Sequence, residues 1–195
     1  MIYGLVLAGG QSSRMGRDKA SLLFRGQSLR DVVASSLATC TERVFLSLRQ
    51  GPWPESWNSA EVLFDQASVQ GPAAALLAAH AHVPQASWFV IACDFPFVND
   101  DSVHVLKEAH EREKSLLTCY SHEDSTPEPL FAIWQPEALH LLKQNVKKGF
   151  WGPMHTLQAC SPLLVPLPCE KSNWLLNANT PEDWAKVENQ GVSSV

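Results

Sequence analysis

The sequence predicts an α/β protein in three layers, built on a mostly parallel, partly mixed central sheet. Three observations predict it. Short apolar runs suited to strands (residues 2–8, 43–48, 61–64 and 88–93) recur between stretches with helical spacing or helix-start signals. Such alternation winds parallel strands through right-handed crossover helices. Residues 115–135 break the alternation, because two strand-like runs there are joined by a short turn. That stretch adds an antiparallel pair and makes the sheet mixed.

Residues 2–8 form a buried strand, and residues 21–24 form a short one, turned by Gly26. Ser28 and Asp31 make a Ser-x-x-Asp helix start, and Leu29, Val32, Val33 and Leu37 keep helical spacing. Residues 43–48 form the next strand. Residues 49–60 hold Gly51, Pro52 and Pro54 and read as a loop, whose Trp53 and Trp57 either pack onto the domain or cover a planar ligand. The strand 61–64 ends in Asp65. Gly71-Pro72 then opens an Ala- and Leu-rich helix reaching about residue 82, with proline where its missing N–H costs nothing.

Residues 88–93 form a continuous apolar strand ending in Asp94-Phe95-Pro96. Asp100 or Asp101 is expected to cap the next helix, which runs to about residue 114. Strands at 116–120 and 130–134 flank a polar turn at 121–128. Helices come next at 136–146 and 154–159, then a proline-flanked strand at 163–167. Thr180-Pro181-Glu182-Asp183 starts a last helix. Residues 189–195 read as frayed, with 191–195 a flexible tail after a single domain spanning 1–190.

Composition excludes several classes. The chain has 195 residues, enough for one sizeable core, and its formal net charge is −5. No basic face or run marks a nucleic-acid binder; the longest cluster is Lys147-Lys148. No apolar stretch is long enough to span a membrane, and the N-terminus lacks the charged region and cleavage site of a signal peptide. Five cysteines without a Cys-x-x-Cys pair read as scattered reduced thiols in a cytoplasmic protein. The seven histidines show no ligand spacing: His80 and His82 point to different faces of a helix, and His122-Glu123-Asp124 reads as a polar turn tip before a metal site.

The chemistry concentrates in residues 7–19, Leu-Ala-Gly-Gly-Gln-Ser-Ser-Arg-Met-Gly-Arg-Asp-Lys. Gly9 and Gly10 directly after a strand let the backbone turn and aim its N–H groups at a ligand. Arg14, Arg17 and Lys19 add positive charge to the same loop. Donors plus fixed cations suit a polyphosphate. The loop is neither a Walker A sequence nor Gly-x-Gly-x-x-Gly. In a doubly wound sheet, ligands bind beyond the carboxyl ends of the strands, so this loop, Asp65 and Asp94 are expected on one rim.

This thirteen-residue string resembles the signature of the MobA-like nucleotidyltransferases, the family of the molybdenum cofactor guanylyltransferases. The resemblance continues in Cys93-Asp94-Phe95-Pro96, in Asp65 before Gly71-Pro72, and in Asn177-Ala178-Asn179-Thr180-Pro181. It implies a Rossmann-like fold that transfers GMP from GTP to molybdopterin or the molybdenum cofactor, releasing pyrophosphate. It implies that Leu7, Ala8 and Gly9 read guanine and ribose through their backbone, with Gly10 beside them. Arg14 and Lys19 would hold the leaving phosphates, Asp65 would contact the nucleotide, and Asp94 would bind Mg²⁺, with Mn²⁺ as an alternative. Asn177 and Asn179 would lie near metal and acceptor. Molybdoenzymes or their chaperones are further implied partners.

Two features bear on the acceptor. Glu128-Pro129 matches one variant of the family's step before a strand. Where the family often places arginines for the acceptor's phosphate, this chain has Lys147 and Lys148 before Gly149-Phe150-Trp151. The lysines serve either the acceptor or simply a solvated helix end. The rival readings are a cytidylyl- or sugar-phosphate nucleotidylyltransferase on the same scaffold, and a non-catalytic nucleotide-binding adaptor.

Overall fold

The structure is a computed structural model that describes residues 1–8, 23–49, 60–167 and 169–192. Nine strands appear among these residues: β1 (Ile2–Leu7), β2 (Leu23–Phe24), β3 (Gln27–Ser28), β4 (Val44–Leu48), β5 (Glu61–Phe64), β6 (Ser87–Ala92), β7 (Leu117–Ser121), β8 (Pro127–Trp134) and β9 (Leu163–Pro166). The helices are α1 (Leu29–Ala38), α2 (Pro72–His82), α3 (Asp100–Glu113), α4 (Pro136–Lys147), α5 (Pro153–Ala159) and α6 (Pro181–Val192), with a 3-10 helix at Cys169–Leu175.

Seven strands form one sheet in the order β5-β4-β1-β6-β8-β7-β9. Strand β8 is antiparallel to both β6 and β7, and the other pairings are parallel. The mixed sheet expected from residues 115–135 is therefore present. Strands β2 and β3 form a separate small hairpin.

Alternation along the buried strands divides the core in two. Val6, Leu46, Phe89, Ile91 and Phe131 face α1 and α3 through Val33, Leu37, Val103 and Leu106. Leu5, Phe45, Trp88, Val90, Ala132 and Trp134 face α2, α4 and α5 through Leu76, Leu139, Leu142 and Leu157. The period-two side-chain alternation of a strand is what sorts neighbouring residues into the two layers. On the first face Gly4 admits α1 closely: a Cβ there would stand 3.1 Å from Leu37 Cβ and 3.1 Å from Thr41 Oγ1.

Several details depart from the sequence reading. Asn99 caps α3, ahead of both Asp100 and Asp101. Its side chain accepts from Ser102 N–H at 3.0 Å, while Ser102 Oγ accepts from Asn99 N–H at 3.0 Å, a reciprocal box that neither aspartate offers. Strand β8 starts at Pro127, because the chain turns back already at residues 122–126, where His122 N–H donates to Thr126 O at 2.8 Å. Helix α6 continues to Val192, past the point where the sequence reading frays it, because Gly191 falls in the last turn and interrupts little.

The crossovers are not uniformly right-handed. Helices α1 and α3 share one face, yet the chain moves from β1 toward β4 and from β6 toward β7 in opposite directions across the sheet. Those two connections have opposite hands. Strand β7 is not the neighbour of β6, because β8 lies between them, and α2 and α4 already cover the other face.

The Ser28 cap forms as expected: Asp31 N–H donates to Ser28 Oγ at 3.3 Å and the Ser28 hydroxyl donates to the Asp31 carboxylate. Cys40, Cys93 and Cys119 are buried, and none of them is in a disulfide. Burial pushes the thiol of Cys40 up to about 11 and that of Cys119 up to about 12, so both stay protonated and inert.

Candidate active site at the carboxyl rim of the sheet

The rim is joined laterally by backbone hydrogen bonds just beyond the strands. Asp65 N–H donates to Leu48 O at 2.9 Å, and Ala8 N–H to Ser47 O at 3.1 Å. Cys93 N–H donates to Leu7 O at 3.1 Å, and Ala178 N–H to Asp94 O at 2.9 Å. This series carries the edge from Asp65 through Leu7 and Ala8 to Asp94 and the Asn177–Asn179 segment. Residues as far apart in sequence as Leu7 and Asn179 thus share one edge of the sheet. Gly9, Gly10, Arg14 and Lys19 lie outside the described residues, as do Trp53 and Trp57; the segment containing those four site residues leaves the rim from Ala8.

Asp65 stands directly after β5 and is half-buried. Its carboxylate accepts a hydrogen bond from the Ser47 hydroxyl on β4. Burial raises its pKa above the ordinary carboxylate value, opposed by the Ser47 hydrogen bond and by the positive charge of Arg49. A cavity of about 470 Å³ opens beside it, lined by Arg49, Gln66, Gly71 and Ala74 among others. Gly71 starts α2 at φ 64° and ψ −160°, a conformation essentially restricted to glycine. Among the described residues no atom would obstruct a Cβ there, so the backbone angle demands glycine.

Sequence reasoning misses Ser47 and Arg49. Their only signal is a hydroxyl inside an otherwise apolar strand and a cation at its exit. Neither belongs to a motif; the register pairs Ser47 with Leu63, and Asp65 follows two residues later on the same face.

The raised pKa has a signed consequence. In the folded protein the charged form of Asp65 is disfavoured, so stability falls as pH rises through the interval above the unfolded value of 3.8. Asp65→Asn is expected to raise the melting temperature of the ligand-free protein at neutral pH and to bring no gain below that interval. Melting curves of both proteins from acid to neutral pH check it; an equal shift at every pH would trace the effect to packing.

Asp94 stands two residues after β6 and is half-buried. The Asn177–Asn179 segment is fixed to it by the Ala178–Asp94 bond and by a third small core. That core joins Phe24 of the hairpin, Leu29, Phe97, Ala178 and Val187, with Trp184 against it. Phe24 meets Phe97 edge-on at 5.3 Å and Trp184 at 6.3 Å. Asn177 Oδ1 is sealed from solvent with no hydrogen-bond donor among the described residues. The Asp94 carboxylate and the Asn177 amide oxygen, one residue from the Ala178–Asp94 bond, are both hard oxygens, the donor type that a divalent cation prefers. Among the described residues no cluster of three His, Cys, Asp or Glu could hold a metal by itself. Such a cation would take further oxygens from the substrate.

Lys147 and Lys148 lie at the C-terminal end of α4, with Lys148 exposed. Helix α4 begins below Trp134, which pairs with the first residues of β6, and climbs toward the rim. The lysines therefore reach the rim level on the α2 side of the sheet. The turn after them is held by Asn145, whose carbonyl accepts from Lys148 N–H at 3.0 Å and Phe150 N–H at 2.9 Å.

Fold and rim define a class, a doubly wound α/β protein whose ligand edge lies where the chain departs from β1 and β6 in opposite directions. The chain belongs to the family of the MobA-like NTP transferase domain, which it matches over residues 4–159. It is 34% identical over 188 residues to a molybdenum cofactor biosynthesis bifunctional protein of Synechocystis, covering 95% of this chain but about half (53%) of that protein's length. It is 30% identical over 197 residues to a probable molybdenum cofactor guanylyltransferase of Nostoc, covering 97% of this chain and 91% of the relative.

Among solved structures, the molybdopterin-guanine dinucleotide biosynthesis protein A of Archaeoglobus fulgidus superposes with a TM-score of 0.82 at 24% identity, over 98% of this chain and 99% of that one. The Rv0371c protein of Mycobacterium tuberculosis, solved in complex with manganese, superposes with a TM-score of 0.62 at 15% identity, over 95% of this chain and 96% of that one. At these identities the two structures establish the fold alone.

Proposed function

We propose that this protein is a cytoplasmic, metal-dependent guanylyltransferase that transfers GMP from GTP to the terminal phosphate of molybdopterin or the molybdenum cofactor. The observation that carries the reading is the convergence of the sheet rim on Asp94 and the Asn177–Asn179 segment, beside the exit of the glycine-rich loop, in a chain of this family. The relatives named as guanylyltransferases supply the nucleotide and acceptor.

The chemistry needs positioning and charge neutralisation more than covalent work. Backbone N–H groups after Ala8, with Arg14 and Lys19, bind the β- and γ-phosphates and take up the charge of the departing pyrophosphate. Asp65, held by Ser47, faces the nucleotide from the far side of the rim. Asp94, with Asn177 beside it, would hold the divalent cation, Mg²⁺ or the Mn²⁺ found in a structural relative. When bound, the cation supplies charge stabilisation at the α-phosphate. The acceptor phosphate is already anionic near neutral pH and attacks in line, so this chain need not provide a general base. Lys147, Lys148 and Asn179 orient the acceptor, and the finished cofactor passes to molybdoenzymes or their chaperones.

The base preference tests this reading. Guanine presents an acceptor and two donors on one edge, which main-chain groups after a Gly-Gly turn can meet. With equal GTP and CTP in competition, GMP incorporation is expected to dominate, and Gly9→Ala should reduce GTP use more than CTP use. A preference for CTP would assign the protein to the cytidylyltransferases on this fold.

A further inference from the structure

We propose that Arg30 is a phosphate-binding residue of the nucleotide site, one that the glycine-rich motif does not contain. This rests on the nucleotide-transfer reading above and adds a residue to it.

Arg30 is the second residue of α1 and is only 8% exposed. Its Nε is sealed from solvent and has no hydrogen-bond acceptor among the described residues. Among the described residues no carboxylate stands within ion-pair distance of it. The adjacent acid, Asp31, is exposed and occupied with the Ser28 cap. A guanidinium does not give up its proton in proteins, so burial cannot neutralise it. Nη1 and Nη2 are not among the sealed atoms, so the head of the side chain stays open to a ligand while its Nε lacks an acceptor among the described residues.

Its position shows where an anion would come from. Arg30 lies on the stripe of α1 that continues through Val33, Ala34 and Leu37, the stripe packed on the sheet. Leu37 lies over Gly4 of β1. Helix α1 runs antiparallel to β1, since it starts near the rim and delivers the chain to the beginning of β4. Seven helical residues from Leu37 to Arg30 rise about 10 Å. Three to four strand residues cover about the same length. Arg30 therefore stands level with Leu7 and Ala8, where the glycine-rich segment leaves the sheet.

The first turn of α1 adds the positive end of its dipole at the same level. A guanidinium there can bind two oxygens of one phosphate in its planar fork. The triphosphate of the nucleotide is the anion that the proposed reaction brings to this edge. A substrate phosphate would supply the acceptor that Arg30 Nε lacks among the described residues.

Titration calorimetry of wild type, Arg30→Met and Arg30→Gln with GTP, CTP and inorganic tripolyphosphate tests this, each with Mg²⁺. Both variants are expected to lose about 10- to 100-fold in affinity for all three ligands by a common factor, the scale of a charged hydrogen bond. Unchanged affinity for tripolyphosphate would overturn the assignment, as would a loss confined to GTP, which would mean contact with the base. Arg30→Gln keeps much of the length of the side chain and serves if Arg30→Met does not fold. If wild type binds none of the three ligands, the nucleotide-transfer reading itself fails, a result distinct from a variant that binds like wild type.

Discussion

Asp94→Asn is expected to lower turnover by about 10³-fold, the upper range for removing one charge-stabilising group from an active site. The substitution preserves shape and removes the negative charge that would hold the cation. The substitution keeps the Asp94 carbonyl, which accepts from Ala178 N–H at 2.9 Å. The melting temperature should therefore remain near that of wild type while pyrophosphate release collapses. Parallel calorimetry and pyrophosphate assays on one preparation separate the alternatives. A variant that unfolds early but keeps normal activity per folded molecule would make Asp94 a structural cap.

The second large effect is on stability. Phe97→Ala is expected to cost about 3–5 kcal/mol, the range for emptying a buried aromatic site. For a chain of this size that amounts to a fall in melting temperature of roughly 6–20 °C. Phe97 is buried between Phe24, Leu29, Ala178 and Val187, so it joins the hairpin after the glycine-rich loop to the Asn177–Asn179 segment and α6. Its loss should loosen these three pieces before the main sheet. Hydrogen exchange is the measurement: protection should fall first at residues 177–188, with β1, β4 and β6 retained. Uniform loss of protection across the sheet would show that this small core is not a separate unit.

Much of the fold can be read along the chain because its signals are local. The run 88–93 is continuously apolar, as a strand buried on both faces must be. Pro72 and Pro136 stand at first helical positions, and Ser28 with Asp31 announces α1 before any tertiary contact is known. The α3 cap is harder to place from sequence, because Asn99, Asp100 and Asp101 are all competent caps. Only the reciprocal fit of Asn99 with Ser102 selects among them.

The site divides in the same way. Asp65 is marked in the sequence by a Gly-Pro helix start downstream, Asp94 by a Phe-Pro step, and the Gly-Gly turn by its neighbouring cations. Ser47 carries no mark, since a hydroxyl in a strand has many ordinary uses; its bond to Asp65 exists because β4 and β5 pair in one register. Arg30 carries none either, since an arginine early in a helix is usually solvated. By itself the sequence determined the alternation of elements, the family and the acids of the rim, because each rests on residues adjacent in the chain. The hand of the β6–α3–β7 connection, the third core that seats Asn177–Asn179 and the burial of Arg30 Nε were decided by tertiary packing, because each depends on which distant surfaces meet.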